Sequence, residues 1–245
     1  KRCMEILLEA ISQGRARDVI FLLYNNQQVQ AVRESLRENL DAYIEPALMT
    51  FQGLIREILF KGLSSPPDIV PENVALHLLR KAIEESDLSY YRKAGRSGLL
   101  GMLKNTLDEL KANGVSPEAL LEATRQRQGR GWLDGASARK GREVSSIYNH
   151  YQELLKEHGY EEWPDAAQRA ALLLRDQPDL LTEKKLLIMD GFFYFAPWQE
   201  NILAALIEIF PRSVVTLCCS REKREVFRAL EDMQTFLTQF PHHKV

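Results

Sequence analysis

Leu186-Leu187-Ile188-Met189-Asp190-Gly191-Phe192 is an apolar run that ends in an acid and then a glycine. An apolar run closed by aspartate is the chemistry of a buried strand that holds Mg²⁺ at a sheet edge in phosphate-cleaving enzymes. Such enzymes usually set a second carboxylate directly after the first, where it orients or deprotonates water. This chain has Gly191 there. The stretch therefore predicts a nucleotide-handling fold without its catalytic group. A plainer alternative stands beside it: an aspartate ending a strand more often serves as a turn residue or helix cap.

The neighbouring segments extend the pattern. Downstream, a helix over Trp198–Ile209 leads to a second apolar run, Val214–Cys218. Upstream, Val19-Ile20-Phe21-Leu22-Leu23-Tyr24 is continuously apolar, the mark of a strand covered on both faces. Val29, Val32, Leu36 and Leu40 share one side of a helix, and Ala47-Leu48-Met49 reads as a short strand. Phe51, Leu54, Ile55, Ile58 and Leu59 mark another helix. Residues 1–13 carry a helical stripe at Met4, Leu7, Leu8 and Ile11, and a charged helix over 221–240 closes the chain. Alternating helix and strand predicts a parallel sheet.

The character changes at Ser64-Ser65-Pro66-Pro67. From there to about Asp176 only helical periodicity is found, broken by glycine and proline. Val74, Leu78, Leu79 and Ile83 form one stripe; Leu99, Leu103, Leu107 and Leu110 form another, ended by Asn113-Gly114. Ser116-Pro117 starts a helix with a serine cap and proline in the first position. Val144 to Leu155 form a long helix stopped by Gly159, and a further helix runs from Trp163-Pro164 to Leu174. The expected plan is an α/β sheet domain over 1–64 and 177–245, interrupted by an all-helical insert over 65–176.

Composition narrows the class. Apolar content of 45% and charged content of 27% over 245 residues are ordinary for a globular protein. No apolar run approaches the roughly 20 residues that cross a bilayer, and no signal peptide opens the chain. Lys1 stands in place of methionine inside a helical pattern, which suggests sequence upstream. Three cysteines give no disulfide framework, and adjacent Cys218 and Cys219 read as small core residues. This usage fits a reducing cytoplasm. The five histidines fall in no ligand spacing, so no metal site is expected. A net charge of −2 means that any case for nucleic acid must be local.

In a parallel sheet, ligands bind beyond the carboxyl ends of the strands. Here those ends are Tyr24-Asn25-Asn26, Thr50-Phe51-Gln52, Asp190-Gly191 and Cys219-Ser220. No G-x-x-x-x-G-K-[ST] phosphate loop occurs in the chain. At the strand ends the sequence resembles the UvrD/Rep class of superfamily 1 helicases. Leu23-Tyr24-Asn25-Asn26-Gln27-Gln28-Val29-Gln30-Ala31-Val32 resembles the family's "TFTNKAA" segment. Met49 to Leu59 is similar to "TFHGLAxRIL". Ile147 to Glu153, followed by Glu162-Trp163-Pro164-Asp165, is similar to "IYxxYQE…DFxDL". Asp190 to Gln199 lies in register with "DEFQDTNxxQ", and Arg228 falls where "GDxxQSIYxFRGA" has its arginine. Five motifs in one order and spacing make the resemblance specific.

What the resemblance implies is a RecA-like parallel sheet of the P-loop NTPase kind. It implies Asp190, Gln27 and Gln28 at the nucleotide position, and Asn25, Asn26, Thr50 and Phe51 on the DNA path. The departures matter as much. The family's "DE" is Asp190-Gly191, the following "QD" is Phe193-Tyr194, and "GD…Q" is Cys218-Cys219…Glu222. No catalytic residue is therefore expected. This pattern resembles the B subunit of the AddAB/RexAB helicase–nuclease, whose front half is a degenerate helicase. Its "DGFxxFxPxQ" segment matches Asp190 to Gln199. Its "GFxxxLxxxIxELKxxGVSPEEL" is similar to Gly98 through Leu120. The resemblance further implies an AddA-like partner subunit, ATP and Mg²⁺ in the longer protein if a phosphate loop lies upstream, and a nuclease domain and iron–sulfur cluster far downstream.

Arg125, Arg127, Arg130, Arg139, Lys140 and Arg142 fall within 18 residues that contain Asp134 as their one acid. Gly129, Gly131, Gly135 and Gly141 predict a loose stretch, and Trp132 offers a stacking surface for a base. A solvated, disordered loop between helices is the competing account. Arg92, Lys93 and Arg96 form a weaker patch, read as a solvated face. A PD-(D/E)xK nuclease pattern over Pro164-Asp165 and Glu183-Lys184-Lys185 fails, because Asp165 begins a helix and Glu183 precedes a strand. Trp198 and Phe192–Phe195 read as core or as an interface. Three functions compete: a DNA-binding, non-hydrolysing helicase-like module of a double-strand-break repair enzyme, an active ATPase motor, and an interaction scaffold with no DNA role. The first is expected, on single-stranded or forked DNA and away from any membrane.

Overall fold

The computed structural model describes residues 2–91, 98–217 and 228–240, with side chains of 228–232 excepted. The expected roles of Arg92, Lys93, Arg96, Cys218, Cys219 and Glu222, and of the Arg228 side chain, lie outside this set. The chain divides into two compact units, Lys1–Pro66 with Ala167–Val245, and Pro67–Ala166.

The first unit is built on four parallel strands, β1 (Val19–Leu23), β2 (Ala47–Met49), β5 (Leu186–Phe192) and β6 (Arg212–Leu217), in the order β2-β1-β5-β6. Every residue of β1 is buried, as a strand covered on both faces requires. Helices α1 (Arg2–Ser12), α2 (Asn26–Asn39), α3 (Phe51–Gly62), α9 (Pro197–Ile209) and α10 (Arg228–Thr238) belong to this unit. One apolar core joins Ile6, Leu7 and Leu36 from the helices to Phe21 and Ile188 from the sheet. Close packing also explains Gly62 at the end of α3, where an added Cβ would stand 3.1 Å from Leu173 and 3.2 Å from Leu180. From β1 the chain moves out to β2, then returns to β5 on the other side of β1. The carboxyl ends of β1 and β5 therefore form the switch point of the sheet, where open α/β folds bind ligands.

The second unit contains α4 (Glu72–Glu85), α5 (Leu99–Ala112), α6 (Pro117–Gly129) and α7 (Gly135–Glu157). Helix α8 (Trp163–Asp176) begins in it and ends in the first unit. Its core joins Leu78, Leu79, Leu103, Leu107, Ile147, Tyr148 and Tyr151. Ser116 caps α6 as expected, its hydroxyl accepting from the Ala119 amide at 3.2 Å. Two polar arrangements stiffen the packing. Glu143 accepts from the amides of Ser89 (2.8 Å), Tyr90 (2.7 Å) and Tyr91 (3.1 Å) and from the Ser89 hydroxyl (2.8 Å). Buried Lys111 pairs with Glu162 at 2.5 Å and Asp165 at 2.7 Å, while the Tyr151 hydroxyl donates to Glu162 at 2.8 Å.

Two expectations need correction. The insert is not purely helical: β3 (Asp68–Ile69) pairs in parallel with β4 (Tyr160–Glu161), and the Val70 amide donates to Glu161 at 2.9 Å. Two residues per strand are too few to leave an alternating pattern in the sequence. Nor is the basic stretch loose. α6 continues to Gly129 and α7 starts at Gly135, so Arg125, Arg127, Arg139, Lys140 and Arg142 are all helical. Apolar periodicity is silent there because these turns bury almost nothing.

Candidate nucleic-acid interface

Asn25, Asn26, Gln27, Gln28, Thr50, Phe51 and Asp190 all gather at the carboxyl edge of the sheet, since each follows or ends β1, β2 or β5. Their local bonds are specific. Asn25 caps α2, its side-chain oxygen accepting from the Gln28 amide at 2.9 Å. Thr50 caps α3 by accepting from the Gly53 amide at 3.3 Å. Asn26 and Gln27 lie on the first turn of α2, with Gln27 exposed. Leu23 stands opposite Asp190 in the β1–β5 register.

Beyond Asp190 the β5–β6 register shifts: Met189 pairs with Val215 but Phe192 with Leu217. β5 thus carries one residue more than its partner, a bulge, and Gly191 occupies it with φ of +78°. Gln28 fixes the space above. Its side-chain oxygen accepts from the Tyr24 amide at 3.0 Å, and its amide nitrogen would lie 3.0 Å from any Cβ placed on Gly191. A side chain at 191 would be strained by the left-handed backbone and would press on the Gln28 amide. Asp190 itself accepts from the Thr216 hydroxyl, which in turn accepts from buried Cys3 at 3.6 Å. Burial pushes the Cys3 thiol up, against the lowering influence of that bond. At this edge the Asp190 carboxylate accepts from Thr216, and the next position, Gly191, carries no second acid. Among the described residues no group of three or more His, Cys, Asp or Glu stands ready for a metal.

Aromatic rings fill the rest of the edge. Phe51 packs edge-on against Phe192, Phe195 and Trp198, with centroids 5.4, 6.0 and 6.2 Å away. Phe192 also meets Tyr24 at 6.0 Å. Phe51 is only 3% exposed, so it supports the edge from beneath rather than facing a ligand. The outward rings are others: Tyr24 (57% exposed), Phe193 (54%) and Tyr194 (57%). Phe192–Phe195 reads in the sequence as one block. The structure splits it, with Phe192 and Phe195 buried and Phe193 and Tyr194 exposed. The strand ends at Phe192 and the chain bends at Phe193, so the in–out alternation of a strand does not sort the rest of the block.

The basic residues belong to the other unit. Arg125 and Arg127 project from α6, Arg139 and Lys140 from α7, and Arg130 and Trp132 sit in the turn. Arg142 donates to Gln128 at 2.7 Å and ties the two helices together. They cross closely at Gly141, where a Cβ would stand 2.6 Å from the Thr124 hydroxyl. Asp165, the acid of the rejected nuclease pattern, is held by Lys111 in the first turn of α8.

No helix among the described residues is long and apolar enough to cross a membrane. Comparison with known proteins gives one family. The family described as "ADDB, N-terminal" matches residues 1–240. The chain is 31% identical over 153 residues to the B subunit of the ATP-dependent helicase/deoxyribonuclease of Desulforudis audaxviator (strain MP104C), covering 60% of this chain and 13% of that protein. It is 23% identical over 230 residues to the protein of the same name from Thermoanaerobacter sp. (strain X514), covering 91% of this chain and 19% of that protein. The protein of that name from Thermoanaerobacter pseudethanolicus (strain ATCC 33223 / 39E) matches to the same extent. The chain thus spans less than a fifth of the length of these curated relatives. With its parallel sheet, helical second unit and near end-to-end family match, the chain belongs to the AddB N-terminal family.

Proposed function

We propose that the chain is a DNA-contacting, non-hydrolysing helicase-like module of the B subunit of an ATP-dependent helicase–nuclease. In this reading the sheet is RecA-like, of the UvrD/Rep type, with domains over 1–64, 65–176 and 177–245. The enzyme works with an AddA-like partner in recombinational repair of double-strand breaks in the cytoplasm. One observation carries the proposal: at the switch point, Gly191 lies in a left-handed bulge under Gln28, and a packed aromatic cluster occupies the edge. A nucleotide edge needs charge, open space and water. This edge offers ring faces instead, which suit unpaired bases, since base–aromatic stacking contributes roughly 1–3 kcal/mol per base. Loss of a general base alone removes about 10²–10⁴-fold in rate.

The 245-residue chain should turn over no ATP, with or without single-stranded DNA, after contaminating motors are excluded. Binding of a fluorescent single-stranded oligonucleotide should weaken about 30-fold in a Tyr24→Ala/Tyr194→Ala variant, given two stacking rings at the low end of that range. DNA-stimulated turnover would overturn the non-hydrolysing half. Unchanged affinity in the double variant would overturn DNA contact at the sheet edge, and a parent chain that binds no DNA would leave an interaction scaffold.

A further inference from the structure

The α6–α7 hairpin does something a structural hairpin does not need. From Arg125 to Ser137 every residue except half-buried Leu133 is exposed, so these turns form an arm that contributes almost nothing to a core. Yet its tip is held rigidly. Gly131, at φ of +74°, ends α6 in a Schellman turn: the Trp132 amide donates to Arg127 and the Gly131 amide to Gln128, each at 2.9 Å. Asp134 then starts α7 by accepting from the Ser137 amide at 2.6 Å. The one acid of the arm is consumed as a cap. At the base, Gly141 lets Thr124 come close enough to lock the helices together.

What this rigid turn presents is Trp132, 68% exposed, with the Arg130 guanidinium 5.1 Å over its ring. An indole with a guanidinium on one face has one face left for stacking. Such a one-sided platform takes a terminal base or base pair on its open face. Behind the tip stand Arg125, Arg127, Arg139 and Lys140, all exposed and none in an ion pair among the described residues. Arginine predominates over lysine, and its planar fork matches phosphate oxygens two at a time. An acidic protein surface would account for the charges but not for an indole fixed at the tip.

We propose that the α6–α7 hairpin is a nucleic-acid site separate from the sheet edge, an arm that seats a DNA strand end. Phosphates lie along Arg125, Arg127, Arg139 and Lys140, and the terminal base or base pair stacks on the open face of Trp132. The proposal rests on the reading that this chain handles DNA, and adds to it a strand-end specificity. It is tested with the 245-residue chain and a DNA hairpin bearing a single-stranded tail, with 2-aminopurine as the terminal base. Binding should quench 2-aminopurine; Trp132→Ala should abolish the quench and weaken binding roughly 5–150-fold, while Trp132→Phe retains most of both. Arg125→Ala/Arg127→Ala/Arg139→Ala should lower the log–log salt slope by about 2. Gly131→Ala should reduce the quench with the salt slope unchanged, since it disturbs the tip and removes no charge.

If the Trp132 and arginine variants bind and quench like the parent while Tyr24→Ala/Tyr194→Ala binds weakly, the arm proposal fails and the sheet-edge reading stands. If the parent binds polyglutamate as tightly as this probe and quenches nothing, the arm is a surface for acidic proteins and the proposal is wrong. If the parent binds no DNA, both readings fall together.

Discussion

Gly191 concentrates the chemistry of the sheet edge in one residue. It takes a left-handed conformation at a bulge, under the side-chain amide of Gln28. Left-handed backbone costs an L-residue about 1–2 kcal/mol, and the Gln28 contact adds to it. Gly191→Ala should therefore lower stability by about 1–2 kcal/mol, read as a shift of the urea midpoint with unchanged slope. Gly191→Glu, which restores an acid at the second position, should destabilise at least as much and give no ATP turnover. A Gln28→Ala background should relieve part of either cost, which a double-variant cycle would measure.

At the scale of elements, the α6–α7 crossing inverts an ordinary rule. Glycine inside a helix costs roughly 0.5–1 kcal/mol relative to alanine. At Gly141 the alanine Cβ would stand 2.6 Å from Thr124 Oγ1 and 2.8 Å from Cγ2, so one of the two helices would have to shift. Overpacking of this kind costs about 1–3 kcal/mol, so Gly141→Ala should destabilise, and Thr124→Ala should restore stability in the double variant. Thermal unfolding of the single and double variants decides it. The strands are legible in the sequence because β1, β2 and the first part of β5 are short, continuous apolar runs and β6 holds the apolar pair Val214-Val215, and the edge is located because Asp190 ends such a run. Gln28 over Gly191 is hidden there, because that contact joins α2 to β5 across more than 160 residues. The first turns of α7 are hidden too, because a stretch that buries only Ala138 writes no apolar period. Phe193 and Tyr194 separate from Phe192 and Phe195 only once the strand end at Phe192 and the bend after it are known.

The whole molecule pairs two differently stabilised units. The first rests on apolar sheet packing, whereas the second places an ion network inside its core. Burial lowers the proton affinity of Lys111, but Glu162 and Asp165 outweigh it and hold the ammonium above the ordinary lysine value. Burial pushes Glu162 up, but Lys111, Lys104 and the Tyr151 hydroxyl outweigh that and hold it below the ordinary value. Burial, then Glu162, push the Tyr151 phenol far above its usual range. The Glu162 contribution is thus complete above pH of about 4.3 and lost as pH falls through its depressed folded value. The Lys111 contribution is complete below pH of about 10.4 and lost as pH rises through its elevated one. Lys111→Met leaves a buried carboxylate short of its partner and should cost about 3–5 kcal/mol at pH 7. The gap from the parent should narrow in acid, where protonated Glu162 no longer needs a cation. Urea titrations at pH 7 and in the acid limb would show it.

The grip of Glu143 on the segment after α4 has a consequence visible to deuterium. Amides outside helices and sheets usually trade their hydrogens with solvent quickly. Those of Ser89 and Tyr90 belong to no helix or strand, yet each points into the same carboxylate. Burial pushes this acid up, but the backbone and Ser89 bonds outweigh that and hold it ionised, so the acceptor persists at neutral pH. Isotope labelling should find these amides slow to exchange in a connector that would otherwise be fast. Glu143→Ala should make them exchange freely while the middle of α7 keeps its protection. The connector would then prove to be timed by one acid on a different helix, more than fifty residues away in the chain.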